Sequence, residues 1–285
     1  DIAIIDEQDL LPSSSLIDSL QENMNLRFAL TRTIARPNMR EVVPYSTFEF
    51  LGDNNIQGNP GLQRTLITNY DLRWEWFPNS GEVLALSAFY KNLENPIELA
   101  FAAGANASNF ILEFQNVDEA NITGLEFELR KNLGFIAKPL DGLSLGTNLS
   151  LVNSNISISD TERASRPDTT VTSRDLQGQS PYIINVDLSY SNSSNGIDAG
   201  LFYNVFGARL SNVGFSTTPD IYERPRPMLN FNFKKRFKNG FALSLRANNL
   251  LNSAFKWTYD VEGEEYVFQS YKIGTTYSIG LSYSL

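Results

Sequence analysis

The stretch "LITNYDLRWEW", residues 66–76, decides how the rest of the chain is read. Taken alternately, Leu66, Thr68, Tyr70, Leu72, Trp74 and Trp76 fall on one side, and Ile67, Asn69, Asp71, Arg73 and Glu75 on the other. A period of two over this length predicts a strand with one apolar and one polar face, because successive side chains of a strand point to opposite sides. Strands of soluble proteins average about 5–6 residues, whereas a tilted strand needs about 9–11 to cross a bilayer. Residues 66–76 match the second length.

The pattern recurs. In 142–152, Leu143, Leu145, Leu149 and Leu151 alternate with Ser144, Gly146, Asn148 and Ser150; in 180–190, Tyr182, Ile184, Val186, Leu188 and Tyr190 alternate with Asn185, Asp187 and Ser189. Further copies lie at 24–34, 83–91, 122–131, 197–206, 228–236, 241–251 and 268–285, with a shorter one at 11–20. Together they predict about eleven strands, and no segment reads as a helix. Connections alternate between short (21–23, 78–81, 131–141, 191–196, 237–240) and long (37–62, 92–117, 153–179, 207–226, 253–267). Short turns on one rim and long loops on the other are the pattern of an outer-membrane barrel, with the long loops outside the cell. Trp74, Trp76, Phe77, Tyr190, Phe237, Phe241 and Tyr283 gather beside the short turns, where an interfacial aromatic girdle belongs. A soluble all-β protein would explain the alternation but not the strand length or the loop asymmetry. The expected fold class is all-β, a transmembrane antiparallel β-barrel.

Composition excludes several functions. There are 23 Lys+Arg against 32 Asp+Glu, a net charge of -9, and no run of four basic residues. Electrostatic binding to nucleic acid or to an anionic membrane surface is therefore not expected. Zero Cys removes disulfides, thiolate catalysis and zinc–thiolate sites, and zero His removes the usual general base and the commonest transition-metal ligand. An outer-membrane protease or phospholipase would call for His, so no catalytic, cofactor or metal site is expected. The chain has no apolar run of about 18 residues for a spanning helix. Its mean hydropathy of -0.23 is blind to strands in which only every second residue meets lipid. The opening "DIAIIDEQDL" lacks the basic and long apolar regions of a signal peptide.

If the last strand runs inward, counting backward puts every short turn on the periplasmic side and leaves residue 1 outside. Bacterial single-chain barrels have an even strand count with both ends inside. The odd count predicts that residues 1–285 form the C-terminal portion of one larger transmembrane barrel, either truncated or reassembling with a separately encoded half.

Particular strings sharpen this expectation. "NLRFALTRTIARPNMREVVPY" (25–45), "GNPGLQRTLITNYDLRWEWFP" (58–78), "FYKNLENPIE" (89–98), "GLEFELRKNL" (124–133) and "NNLLN" (248–252) occur in that order. The series resembles the C-terminal barrel half of TonB-dependent outer-membrane receptors, most closely those of Bacteroidetes-type bacteria. The resemblance covers nearly the whole chain from residue 10 onward. It implies a barrel of about 22 strands in the outer membrane of a Gram-negative bacterium, closed by an N-terminal plug. TonB would drive transport by pulling on an N-terminal segment. Implied partners are TonB through that N-terminal part, the receptor's own plug, outer-membrane lipids, the barrel-assembly machinery and a capping surface lipoprotein. The function implied is import of a bulky nutrient such as an oligosaccharide, peptide or metal chelate. The alternative is a non-energised barrel or pore that scaffolds a surface complex.

The strings also have local readings: Arg36-Pro37 ends a strand, and Gly58-Asn59-Pro60-Gly61 is a turn cluster returning a long loop to the sheet. The polar face carries Arg27, Asp71, Arg73, Glu75, Glu126, Glu128, Arg130, Asp187 and Arg246. Two readings overlap: these groups hydrogen-bond a plug and tune permeation, or they pair among themselves in a wet lumen. In the long loops, Tyr45, Phe48, Phe50, Phe101, Phe110, Tyr222, Trp257 and Tyr259 suit stacking on a sugar or peptide ligand, or packing of the loops on one another. The run "DVEGEE" (260–265) offers carboxylates for Ca²⁺ or forms a solvated hairpin tip. At the end of the chain, Tyr277, Ile279, Leu281, Tyr283 and Leu285 alternate with Ser278, Gly280, Ser282 and Ser284. Ser278, Gly280, Tyr283 and Leu285 resemble the signal read by the assembly machinery; family members usually end in Phe, and Leu285 departs from that.

Overall fold

Eleven strands follow one another in sequence order, each antiparallel to its chain neighbours, in a computed structural model that describes residues 7–47, 55–101, 111–158, 160–166, 170–214 and 219–284. They are β1 (Ser13–Gln21), β2 (Met24–Ala35), β3 (Thr65–Trp76), β4 (Val83–Glu94), β5 (Glu119–Asn132), β6 (Leu143–Ser157), β7 (Tyr182–Asn192), β8 (Ile197–Phe206), β9 (Met228–Arg236), β10 (Phe241–Asn248) and β11 (Thr276–Tyr283). A two-residue strand, Ser173–Arg174, pairs with the outer end of β6. Among the described residues the outer edges of β1 and β11 have no partner strand.

The register sorts the two faces. Leu16, Phe28, Leu72, Ala88, Leu125, Leu151 and Tyr182 stand opposite one another across seven strands. Leu188, Leu201, Phe231, Ala247 and Tyr277 continue a parallel row to the far edge. Most of these side chains lie open, with Leu16 at 67% and Leu125 at 60% exposure, while Ala247 is buried. A continuous apolar face of this extent is untenable in water and fits a lipid surround. One residue along, the same pairings align Arg27, Arg73, Ser87, Glu126 and Ser150 on the polar face. At the short-turn rim, Phe241 and Tyr283 pack with centroids 4.8 Å apart, and Trp76, Phe77 and Phe237 are exposed on the same rim.

The core lies elsewhere. Of the largest fully buried side chains, Ile156 closes the outer end of the barrel wall, and Leu210, Glu98, Val213 and Thr258 belong to the long loops. Those loops are themselves sheets. Ser46–Thr47, Asn55–Gln57, Ile111–Asn116 and Ile97–Phe101 pair in that order, and so do Arg209–Asn212, Ile221–Glu223, Phe255–Val261 and Glu264–Tyr271. A bridge between Ala100 and Val213 joins the two sheets. They form a canopy over the barrel's outer end.

The canopy corrects the sequence reading in three places. Short helices do occur, at Met39–Val42 and Asp160–Ser165, with a 3-10 turn at Lys138–Leu140. Helix Met39–Val42 exists because Asn38 and Glu41 cap it reciprocally, too short a signal for periodicity to find. Residues 268–285 are not one strand: Glu264–Tyr271 belongs to the canopy and β11 to the barrel, with Gly274 at φ 82 between them. Likewise 241–251 stops at Asn248, where "NNLLN" turns through left-handed Asn249 and Asn252 (φ 57 and 46), a conformation Asn tolerates.

Candidate functional site

Two regions bring chemistry-bearing side chains together. The first is the polar wall of β2–β5. Arg27 Nε donates to Glu75 Oε2 at 2.6 Å, and Arg73 Nε donates to Glu75 Oε1 at 2.8 Å. Arg73 also reaches Glu128 Oε2 at 2.7 Å and Ser87 Oγ at 3.1 Å. Base, acid, base and acid thus alternate around the wall, each opposite charge offsetting its neighbour's exposure to the lumen. Glu126 accepts from Ser150 Oγ at 3.4 Å, and Asp187 accepts from Ser189 Oγ at 3.2 Å. The Asp187 carboxylate fills space that a side chain at Gly146 would need, only 2.1 Å from where a Cβ would stand. Asp71, Arg130 and Arg246 make no ion pair among the described residues. Lys234 and Arg246 line a depression of about 350 Å³ with Asn232, Ser244 and Phe202.

The second region is an ionic knot inside the canopy. Arg174 donates from Nη1 to Glu98 Oε1 at 3.0 Å and from Nη2 to Glu98 Oε2 at 2.6 Å. Its Nε donates to Glu162 Oε1 at 2.9 Å. Glu162 also takes Arg166 at 2.8 Å, and Arg166 reaches Asp220 at 3.1 Å. Burial opposes the Arg174 charge, but hydrogen bonds and attraction from Glu98 and Glu162 outweigh it and hold the guanidinium well above its ordinary pKa. Burial likewise pushes Glu162 up, while Arg174 and Arg166 pull it below the usual carboxylate value more strongly. Gln177 stitches the same loops: its Nε2 donates to Leu99 O and Ser211 O, and its Oε1 accepts from Leu99 N.

Beside the knot, Phe255, Trp257 and Tyr271 stack, with Phe255–Tyr271 centroids 4.9 Å apart and interplanar angle 12°. The Arg226 guanidinium sits 3.9 Å from the Phe255 centroid. Among the described residues Arg226 pairs with no carboxylate, and its Nε is buried without a hydrogen-bond partner. Tyr222 packs on Ala100, Leu210 and Val213, and Trp257 and Tyr259 pack on Leu112 and Ile221. Burial, then the charges of Asp220 and Asp175, raise the Tyr222 pKa. Tyr45 lies exposed away from this group. Phe101 ends a loop strand, while Phe48, Phe50 and Phe110 lie outside the described residues. The run 260–265 is a hairpin tip in which Asp260 caps Gly263 N at 2.9 Å and Glu265 meets Lys256 at 2.7 Å. Among the described residues no group of three acidic side chains is placed to hold a metal. Ser278 and Gly280 face the polar side of β11, Tyr283 the apolar side, and Leu285 lies outside the described residues.

Sequence reasoning did not single out Glu98, Glu162, Arg166, Arg174 or Gln177. Glu98 and Arg174 are 76 positions apart, and no local pattern announces such a pair. Arg226 carries one faint sign: Pro225 and Pro227 hold it in an extended run.

A two-faced antiparallel sheet of membrane-crossing strands, short turns on one rim and a folded canopy on the other, defines an outer-membrane β-barrel of a Gram-negative bacterium. The family described as TonB dependent receptor-like, beta-barrel matches residues 4–250, and the chain belongs to it. No curated protein matches the chain. Among solved structures it is similar to the ferric enterobactin receptor of Pseudomonas aeruginosa, at 20% identity and TM-score 0.61 over 95% of this chain and 40% of that one. It is also similar to the siderophore receptor PirA of the same species, at 17% and 0.58 over 95% and 41%. The ferric yersiniabactin uptake receptor of Yersinia pestis gives 14% and 0.59 over 95% and 36%. At these identities the likeness is one of fold. The chain spans about 40% of the length of the first of these receptors.

Proposed function

We propose that the chain is the C-terminal portion of a TonB-dependent outer-membrane importer for a bulky nutrient. The observation that carries this reading is the family match over residues 4–250, on a sheet whose apolar face fits lipid and whose polar face fits a lumen. In this reading the rest of a barrel of about 22 strands and a plug complete the receptor, and TonB supplies the force. Barrel-assembly machinery inserts it, and a surface lipoprotein caps it. The polar wall residues Arg27, Arg73, Glu75 and Glu128 border the plug. The cargo enters at the canopy, where Arg226 over Phe255, beside Trp257 and Tyr271, offers a cation and stacked rings. Ferric chelates are the first cargo class to test, because the similar solved receptors include siderophore receptors; oligosaccharides and peptides come next.

The test is uptake of labelled ferric chelate, oligosaccharide and peptide in cells lacking the receptor gene or lacking TonB. The expected result is that uptake of one class falls to background in both deletions. Uptake dependent on the receptor but not on TonB would instead identify a non-energised pore. Normal uptake of all three classes without the receptor would leave it a scaffold.

A further inference from the structure

The canopy loops 95–118, 158–181 and 207–227 leave the barrel at separate points, yet their buried polar groups satisfy one another across loop boundaries. Arg174, from the second loop, is 5% exposed and holds Glu98 of the first, which is 1% exposed. Arg166 of the second loop takes Asp220 of the third, which in turn accepts from Gly214 N at 2.7 Å. Gln177 bonds the first loop through Leu99 and the third through Ser211, and Gly178 N donates to Leu210 O at 2.8 Å. The Ala100–Val213 bridge ties first to third directly. Ser173–Arg174 pairs with Ser157 and Ile156, which fixes the knot to the wall of β6.

We propose that the described parts of these three loops act as one body anchored on β6, with Arg174 as the residue that positions them, so that cargo meets a preformed mouth rather than three independent arms. The physical reason is the asymmetry of buried ion pairs. Moving one loop alone strips a buried charge of its partner in a place water does not reach, whereas a body that keeps all three together keeps every pair of the knot. A shared apolar seam reinforces this: Ala100 of the first loop packs on Leu210 and Val213 of the third, with Tyr222 over them. Ligand residues carried on any of the three loops are then held at fixed mutual distances, which lowers the ordering cost of binding.

The experiment is amide hydrogen exchange on the full-length receptor in detergent micelles, comparing peptides from 95–101, 170–181 and 207–214. Arg174→Met is the principal variant. Arg209→Ala, which removes the pair Arg209–Glu223 within the third loop and the cation over Phe206 at the end of β8, is the control. Arg174→Met should raise exchange by at least about tenfold in all three segments together, and Arg209→Ala only in the third. Acceleration confined to 158–181 in Arg174→Met would overturn the proposal. A second measurement keeps the knot intact: spin labels at Asp118→Cys and Asp160→Cys, on the first and second loops. One narrow distance distribution is expected; a broad or multiple one also refutes the single body. Neither readout involves cargo or TonB, so this inference and the importer reading fail separately.

Discussion

Arg174 grips Glu98 as a fork, with two parallel N–H···O contacts at 3.0 and 2.6 Å between loops that share no barrel strand. Two-point contact fixes both plane and distance, which a Lys at this position would not do. Glu98→Gln keeps the shape but leaves a guanidinium short of charge compensation in a buried site. Because Glu162 still faces Arg174, the loss falls at the lower end for such pairs, about 3 kcal/mol of local stability. Amide exchange of 97–101 and 173–177 checks it; protection equal to the parent's would contradict the account.

The knot also sets a pH limit. Glu162 faces Arg166, just past the end of its helix, and Arg174 across the loop, with Glu98, Asp220, Asp175 and Tyr222 around the same charges. Its folded pKa lies below its ordinary value of 4.5. A depressed carboxylate contributes stability that is complete above the unfolded value and lost as pH falls through the folded one. The canopy should therefore keep its packing at neutral pH and down to about 5, and loosen below about 4.5. Acrylamide quenching of Trp257, read in a background where Trp74, Trp76 and every other tryptophan of the receptor are Phe, should rise only in that acidic range. Quenching that already rises between pH 7 and 6 would be the wrong outcome.

Neighbouring residues on β5 should respond oppositely to substitution. Leu125 belongs to the apolar row and Glu126 to the polar one. Leu125→Arg puts a charge into hydrocarbon and should cost about 2–4 kcal/mol, less if the site lies near an interface. Glu126→Ala should cost under about 1 kcal/mol. Urea titration of the receptor folding into phospholipid bilayers measures both, and equal costs would mean the faces are misassigned.

Removing Arg73 frees Glu128 from its ion pair and leaves Glu75 to Arg27 alone. With Arg130 also changed to Ala, the wall loses two bases that border the plug in the importer reading. In the complete receptor, passive leakage of a large antibiotic should rise severalfold, read as a lower inhibitory concentration. Unchanged susceptibility would leave the ladder a purely structural feature of the wall.

The barrel strands were legible because the bilayer imposes a long, regular demand. From Leu66 to Trp76 every second residue but Thr68 is apolar or aromatic, and that period survives no matter what lies beside it. The register sets Arg73, Glu126 and Asp187 on the polar face of the sheet. The canopy was not legible, because its strands are short and at residues 97–100 the buried side carries Glu98 and Ala100, while the apolar Ile97 and Leu99 are only half-buried. Alternation would put Ile97 and Leu99 inward. The break between Tyr271 and Thr276 was hidden for another reason: apolar and polar residues alternate on both sides of Gly274, so the pattern runs through the turn without marking it.

The ladder from Arg27 to Glu128 has one more effect. On the inner wall of β2–β5, four bases (Arg27, Arg73, Lys91, Arg130) stand against four acids (Asp71, Glu75, Glu126, Glu128), so that arc is electrically blank. On β8–β10, three bases (Lys234, Arg236, Arg246) stand against Asp198 alone. In the importer reading, a charged body moving along this wall is pulled sideways as well as through. Anions drift toward β9 and β10 and cations away from them, with a strength that salt sets and that falls off over about a Debye length of 8–10 Å.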